Sequence, residues 1–159
     1  MDNKSDMYLI RRVNHDELDM AFALIWKVFQ QFVAPDSTDE GVDYFYRQFV
    51  AGQDFRNKFL NNLQTMYGSF AGGRLAGVLS ISKNNHVSCV FVDKDYQRKG
   101  IATKLFLKVI TELKQQGVTK IELNAAPYAI PFYHAIGFTD TDVENIYHGI
   151  RYTPMELQL

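Results

Sequence analysis

Six consecutive residues, Gln97-Arg98-Lys99-Gly100-Ile101-Ala102, have the types and spacing from which an anion site can be built. Gly100 and Ala102 are the smallest residues available where a ligand must come close to backbone. Arg98 and Lys99 add positive charge beside them. Ala102, Leu105, Phe106, Val109 and Leu113 then recur at three- or four-residue spacing, which predicts a helix with one apolar face, stopped by Gly117. The first N–H groups of a helix lack intrahelical acceptors, and the helix dipole places partial positive charge there. The stretch therefore predicts a phosphate or pyrophosphate seated on the amides of about Gln97 to Ala102. An ordinary capped surface turn could carry the same residues, so this stretch alone leaves both readings open.

Several elements must hold that turn in place. Before it, Val87, Cys89, Val90, Phe91 and Val92 form a compact apolar run typical of a buried strand, followed by the charged turn Asp93 to Lys99. Earlier in the chain, Met7 to Val13 reads as a first strand behind a polar lead-in, Asp2 to Asp6. Asn14 with Glu17 resembles a capping box at the head of a helix running to about Ala34. Pro35 to Thr38 breaks the pattern, and further helices are expected from Asp39 or Glu40 to Val50 and around Phe55 to Leu63. Met66 to Ala71 and Leu75 to Ser82 are strand-like and joined by Gly72-Gly73, a hairpin signal.

Beyond the central helix, Thr119 to Ala125 alternates as a strand, and Pro131 to Ile136 allows only a short helix, ended by Gly137. Phe138 to Thr141 and Arg151 to Leu157 are the last strands, and Pro154 argues that the final one lies at an edge or a bulge. The pattern predicts one α/β domain over residues 1–159. Its sheet should be mixed and mainly antiparallel, of about six to seven strands, with a right-handed β-α-β crossover at 87–125 and flanking helices.

With 47% hydrophobic residues in 159, one core can be filled. A net charge of −1 and no long basic run give nucleic acid little to bind. Cys89 is the only cysteine, so no internal disulfide can form, which fits a reducing compartment. MDNKSDMYLI lacks the basic start and apolar core of a signal peptide, and no apolar run reaches membrane length. The cytoplasm is the expected location. The histidines at 15, 86, 134 and 148 show no metal-ligand spacing, so no metal is expected.

Gln97 to Ala102 matches the Q/R-x-x-G-x-G/A signature of the GNAT superfamily of acyl-CoA-dependent N-acetyltransferases. A second block, Asn124 to Phe138, resembles that family's later motif, with Asn after a strand, then Phe132-Tyr133, then Gly137-Phe138. The likeness covers the chain apart from about 35–41 and 140–149. It implies acetyl-CoA as cosubstrate and direct transfer to a primary amine, on a small molecule or a peptide lysine. By the same resemblance, Gln97, Arg98, Lys99, Gly100, Ile101 and Ala102 would bind the pyrophosphate, and Phe91 and Val92 would pair their backbone with pantetheine. Asn124 would reach the pantetheine or the acyl region. Tyr133 would serve as the acid, because a phenol of pKa about 10 can protonate or stabilise a departing thiolate of about 8.5. Dimerisation is common among such proteins, and the late edge strand is where it would form.

The pattern departs from the resemblance at the base. The central strand, HVSCVFV, offers no carboxylate, so His86, Glu122 and a water relay stay open as routes for the amine's proton. Cys89 among valines reads as a small core hydrophobe rather than a nucleophile. Trp26, Phe29, Phe32, Tyr44, Tyr46, Tyr147 and Tyr152, with Asp36, Asp39, Glu40 and Asp43, could form a cation-binding wall or could be core and solvated loop. A non-catalytic acyl-CoA sensor of the same fold is the alternative function.

Overall fold

The computed structural model describes residues 8–159. The lead-in expected at Asp2 to Asp6, and Met7 of the expected first strand, lie outside the described residues. The first strand, β1, runs Tyr8–Arg12. The Asn14 N–H donates to Glu17 Oε1 at 2.9 Å, and a 3₁₀ turn leads into α1, Leu18–Phe32. Thr38 caps α2, Asp39–Phe45, by accepting the Gly41 amide on its hydroxyl at 3.1 Å. The next turn, Tyr46–Val50, widens to π geometry, with the Ala51 amide on the Tyr46 carbonyl. α3 follows at Gln53–Leu60.

The strands β2, Gln64–Ala71, and β3, Arg74–Ser82, form the expected hairpin through Gly72, whose φ is +61°. β4, His86–Val92, pairs antiparallel with β3, and α4, Ile101–Gln115, crosses to β5, Lys120–Ala125. α5, Ile130–Ala135, ends before Gly137, at φ +107°. Three strands finish the described chain: β6, Thr139–Asp140; β7, Asn145–Tyr147; and β8, Ile150–Gln158.

Among the described residues the sheet has eight strands in the order β1-β2-β3-β4-β5-β8-β6, with β7 also on β8. β4 and β5 are the one parallel pair among the described residues. One apolar layer, built on Phe22, Ile25, Phe29 and Phe45, lies between α1–α3 and the sheet. The other, built on Leu105, Phe106, Val109 and Phe138, lies under α4 and α5. Among the described residues, no helix is long and apolar enough to cross a membrane.

Two expectations need correction. β8 is not an edge strand: β5 lies on one flank, and β7 and β6 lie on the other. Pro154 is tolerated there because its carbonyl, which accepts the Thr141 amide at 2.9 Å, points to the outer flank. The missing N–H would point the same way, into the gap between the residues paired with β7 and those paired with β6, so no bond to β5 is lost. The strand count is eight rather than six or seven because β7 lies within 140–149, where the sequence shows no strand pattern.

Candidate functional site

β4 and β5 pair only at His86–Glu122 and Val87–Leu123. Beyond these pairs the strands part, and Asn124 and Ala125 are held by Pro154 and Thr153 of β8 instead. The Asp93 amide bonds the Ala76 carbonyl of β3 at 2.9 Å, and Phe91 pairs with Val78. Strand alternation therefore turns the polar backbone groups of Phe91 toward β3 and those of Val90 and Val92 toward the open edge. Phe91 has its side chain on the far face, 6.1 Å from the Phe45 ring. The free edge thus belongs to Val90 and Val92, where the sequence suggested Phe91 and Val92.

The turn into α4 is held from three sides. The Gln97 side-chain amide donates to the Val92 carbonyl at 3.3 Å. Asp93 accepts the Asp95 amide at 3.0 Å and meets Lys27 at 3.0 Å and Arg74 at 3.6 Å. Ile101 packs onto Gly77, where an added Cβ would stand 3.0 Å from Ile101 Cγ2, so the glycine lets α4 sit close to β3. Arg98 and Gly100 both adopt left-handed backbone, at φ +63° and +74°.

The first amide of the helix ladder to find an acceptor is that of Lys104, on the Gly100 carbonyl at 3.0 Å. Among the described residues, the amides of Arg98 to Thr103 have none. Gln97 differs, since its own amide turns back to Lys94 at 3.4 Å. The main-chain donors thus run from Arg98, and Gln97 contributes by bracing the turn.

These amides border a cleft of about 500 Å³, lined also by Val90, Val92, Tyr96, Tyr128, Phe132 and Tyr133. A neck of about 60 Å³ continues between the parted strands, past Cys89, Asn124, Tyr128 and Tyr133. On the opposite face a second cavity of about 480 Å³ opens, sharing Val87, Ser88, Phe91 and Asn124 with the neck. A path therefore passes through the sheet where β4 and β5 separate.

Tyr133 is buried against Phe106 and Phe138, with ring centroids 6.0 and 5.6 Å away, and borders both the cleft and the neck. Burial, with Tyr128 and Cys89 nearby, pushes its phenol well above the ordinary value, so it keeps its proton throughout the neutral range. Phe132, the next residue, is only partly buried and faces the cleft. Burial also pushes the Cys89 thiol up to about 12, which makes it a core residue without thiolate character. His86 lies in the lining of the second cavity, and burial lowers its pKa while Glu122 opposes the shift. Glu122 itself is exposed and meets Lys120 at 3.1 Å.

Of the aromatic residues left open between a wall and the core, Phe29, Tyr44, Tyr147 and Tyr152 line the second cavity. Trp26 and Tyr46 pair with each other, and Phe32 stacks on Tyr128. Asp36, Asp39, Glu40 and Asp43 are not among the lining residues. Tyr128 and Thr103 border the cleft although their sequence context carried no separate signal, and Val90, marked by the sequence only as part of the apolar strand run, borders it too. The stretches 35–41 and 140–149, which stand outside the family likeness, lie close together, with the Thr38 amide on the Gly149 carbonyl at 3.0 Å and Arg151 3.6 Å from Asp36.

Comparison with known proteins gives the family and the fold. Residues 33–159 match the model of the acetyltransferase (GNAT) domain. An uncharacterised N-acetyltransferase of Methanocaldococcus jannaschii is 26% identical over 141 residues, 86% of this chain; the chain spans 62% of the length of that relative. The PaiA N-acetyltransferase of Thermoplasma acidophilum, solved in complex with coenzyme A, shares the fold at a TM-score of 0.81. It is 18% identical over 96% of this chain and 99% of its own. A GNAT acetyltransferase of Streptococcus pneumoniae superposes at 0.71, with 20% identity over 96% and 99% of the two chains. With the domain match over most of its length, and with a parted β4–β5 pair above an unbonded turn of amides, this chain belongs to the GNAT acetyltransferase family.

Proposed function

We propose that this protein transfers an acetyl group from acetyl-CoA to a primary amine, with the two substrates entering from opposite faces of the sheet. The observation that carries this reading is the run of unaccepted amides from Arg98 to Thr103, facing a cleft that continues between β4 and β5. Acetyl-CoA supplies an acyl group activated as a thioester. The residues fit its chemistry: six N–H groups at a helix start, with Arg98 and Lys99 beside them, suit a diphosphate. The backbone of Val90 and the N–H of Val92, whose carbonyl is held by Gln97, offer groups on an open strand edge suited to the amides of an extended pantetheine arm.

Gln97, Lys99, Gly100, Ile101 and Ala102 then act as one support for the diphosphate. Asn124 stands at the neck with both a donor and an acceptor. Tyr133 holds a proton beside the neck, where a hydrogen bond to a developing thiolate would stabilise it. His86 and Ser88 lie on the amine's side of the neck, and the neutral imidazole can accept the proton that an ammonium must lose. A cytoplasmic location accords with the lone buried thiol.

The neck holds no carboxylate, the feature that favours a non-catalytic acyl-CoA sensor as second reading. The deciding experiment is CoA release from acetyl-CoA over a panel of amines, run beside thermal stabilisation by CoA, ATP and NAD. The enzyme reading requires CoA release with at least one amine, and the sensor reading predicts stabilisation by CoA without release. Stabilisation by ATP or NAD but not CoA would remove both.

A further inference from the structure

We infer that the preferred acceptor is a primary amine carried on an aromatic or apolar body, of the arylalkylamine class, rather than a polyamine, aminoglycoside or lysine side chain. The inference rests on the acetyltransferase reading and concerns only the far side of its cleft. The cavity there, about 480 Å³, is of a size to hold a small organic molecule. Its wall is built from rings: Phe29, Tyr44, Phe45, Phe49, Tyr147 and Tyr152. Phe29 and Phe45 stack in parallel 3.8 Å apart, and the Phe45 and Phe49 rings lie 5.1 Å apart.

No aspartate or glutamate lines this cavity. The acids nearest in sequence are engaged elsewhere. Asp36 faces Arg151 at 3.6 Å, and Asp43 meets Arg47 at 2.9 Å. Asp39 and Glu40 occupy the first turn of α2, where they complement the helix dipole. Arg151 is the only lining residue with a permanent charge, and Glu144 at 2.9 Å neutralises it together with Asp36.

A polyamine brings a second ammonium that would lose water in this cavity without gaining a carboxylate, an unfavourable exchange. An aromatic body replaces that loss with buried apolar area and ring-on-ring contact. His86, on the same lining, accounts for the one amine that must be neutral to react.

The test is steady-state CoA release by the full chain at saturating acetyl-CoA, with phenethylamine and tryptamine set against spermidine and a lysine peptide. The arylalkylamines should show a kcat/KM roughly ten- to a hundredfold higher. Tyr152→Glu, which adds a carboxylate to the half-buried rim, should shift the preference toward spermidine while stabilisation by CoA alone is retained. Spermidine or the peptide performing as well as phenethylamine in the native chain overturns the inference and leaves acetyl transfer standing. An unchanged preference in a Tyr152→Glu protein that still responds to CoA overturns the assignment of this wall. Failure of every amine to release CoA overturns both the inference and the reading beneath it.

Discussion

The Thr38 amide donates to the Gly149 carbonyl at 3.0 Å, pinning the turn between β7 and β8 to the start of α2. Gly149 has φ +85°, and a Cβ there would overlap Thr38 Oγ1. Gly41 faces it closely too, since its own Cβ would fall 2.7 Å from the Gly149 oxygen. The rings of Tyr44 and His148 stack 4.2 Å apart across the same junction. Gly149→Ala should therefore push the hairpin off α2 and displace Tyr147 and Tyr152. The expected result is an amine KM raised roughly tenfold or more, with the acetyl-CoA KM unchanged, as read by two-substrate kinetics. Equal changes in both constants would show that the hairpin is not confined to the amine's side.

Asp93 ties α1, β3 and the approach to α4 together through Lys27, Arg74 and the Asp95 amide. Burial opposes its charge, yet the amide and the two cations prevail and hold the carboxyl below its ordinary value. A depressed carboxyl contributes stability above the unfolded-state pKa and loses it as pH falls through the folded one. Asp93→Ala should cost about 1–3 kcal/mol near neutral pH. The deficit should shrink as the medium is acidified below about pH 4, where the unfolded carboxyl takes up its proton. Urea unfolding of both proteins across that range measures it.

The β4–turn–α4–β5 unit was legible because its signals are local: an apolar run, a glycine at a helix start and helical periodicity are all read within 30 residues. The junction of Thr38 with Gly149 was not, because it joins positions more than a hundred residues apart and neither flank has strong periodicity. Pro154 misled for a related reason. A proline signals that one N–H is missing, but only the flanking strands decide which side of the sheet lacks it. Phe91 shows the same limit at atomic scale, since the parity of backbone groups along β4 is set by the register with β3. The acids of 36–43 stayed open between a cation wall and a solvated loop because sequence shows charge but not partners, such as Arg151 for Asp36 and Arg47 for Asp43.

His86 titrates in a predictable direction. Burial lowers its pKa against the opposing Glu122, so the folded protein holds it neutral at a pH where the unfolded chain has bound a proton. Stability should accordingly rise with pH up to about 6.5 and level off above it. His86→Gln should remove that slope, visible as Tm against pH from 5 to 8. The same variant separates a basic role from a steric one. An alkylamine arrives protonated and should lose roughly a hundredfold in kcat/KM, whereas aniline, already neutral, should lose little. Equal losses for both amines would limit His86 to shaping the cavity.

Tyr133 provides the most direct test of the chemistry. Its ring is packed by Phe106 and Phe138 and is only 7% exposed, so Tyr133→Phe keeps the packing and removes one hydroxyl. Stability should change by less than about 1 kcal/mol, because the hydroxyl borders the cleft rather than a buried protein partner. Acetyl-CoA affinity should also hold, since the amides of Arg98 to Thr103 are untouched. Turnover should fall roughly a hundredfold if the phenol stabilises the departing thiolate. Tyr128→Phe is the matching control, for Tyr128 borders the same cleft and neck but stacks outward on Phe32. A rate lost in the Tyr128 variant and kept in the Tyr133 variant would move the donor to the cleft's outer wall. A rate lost only at Tyr133 places it at the neck, where the path from the unbonded amides meets the aromatic cavity.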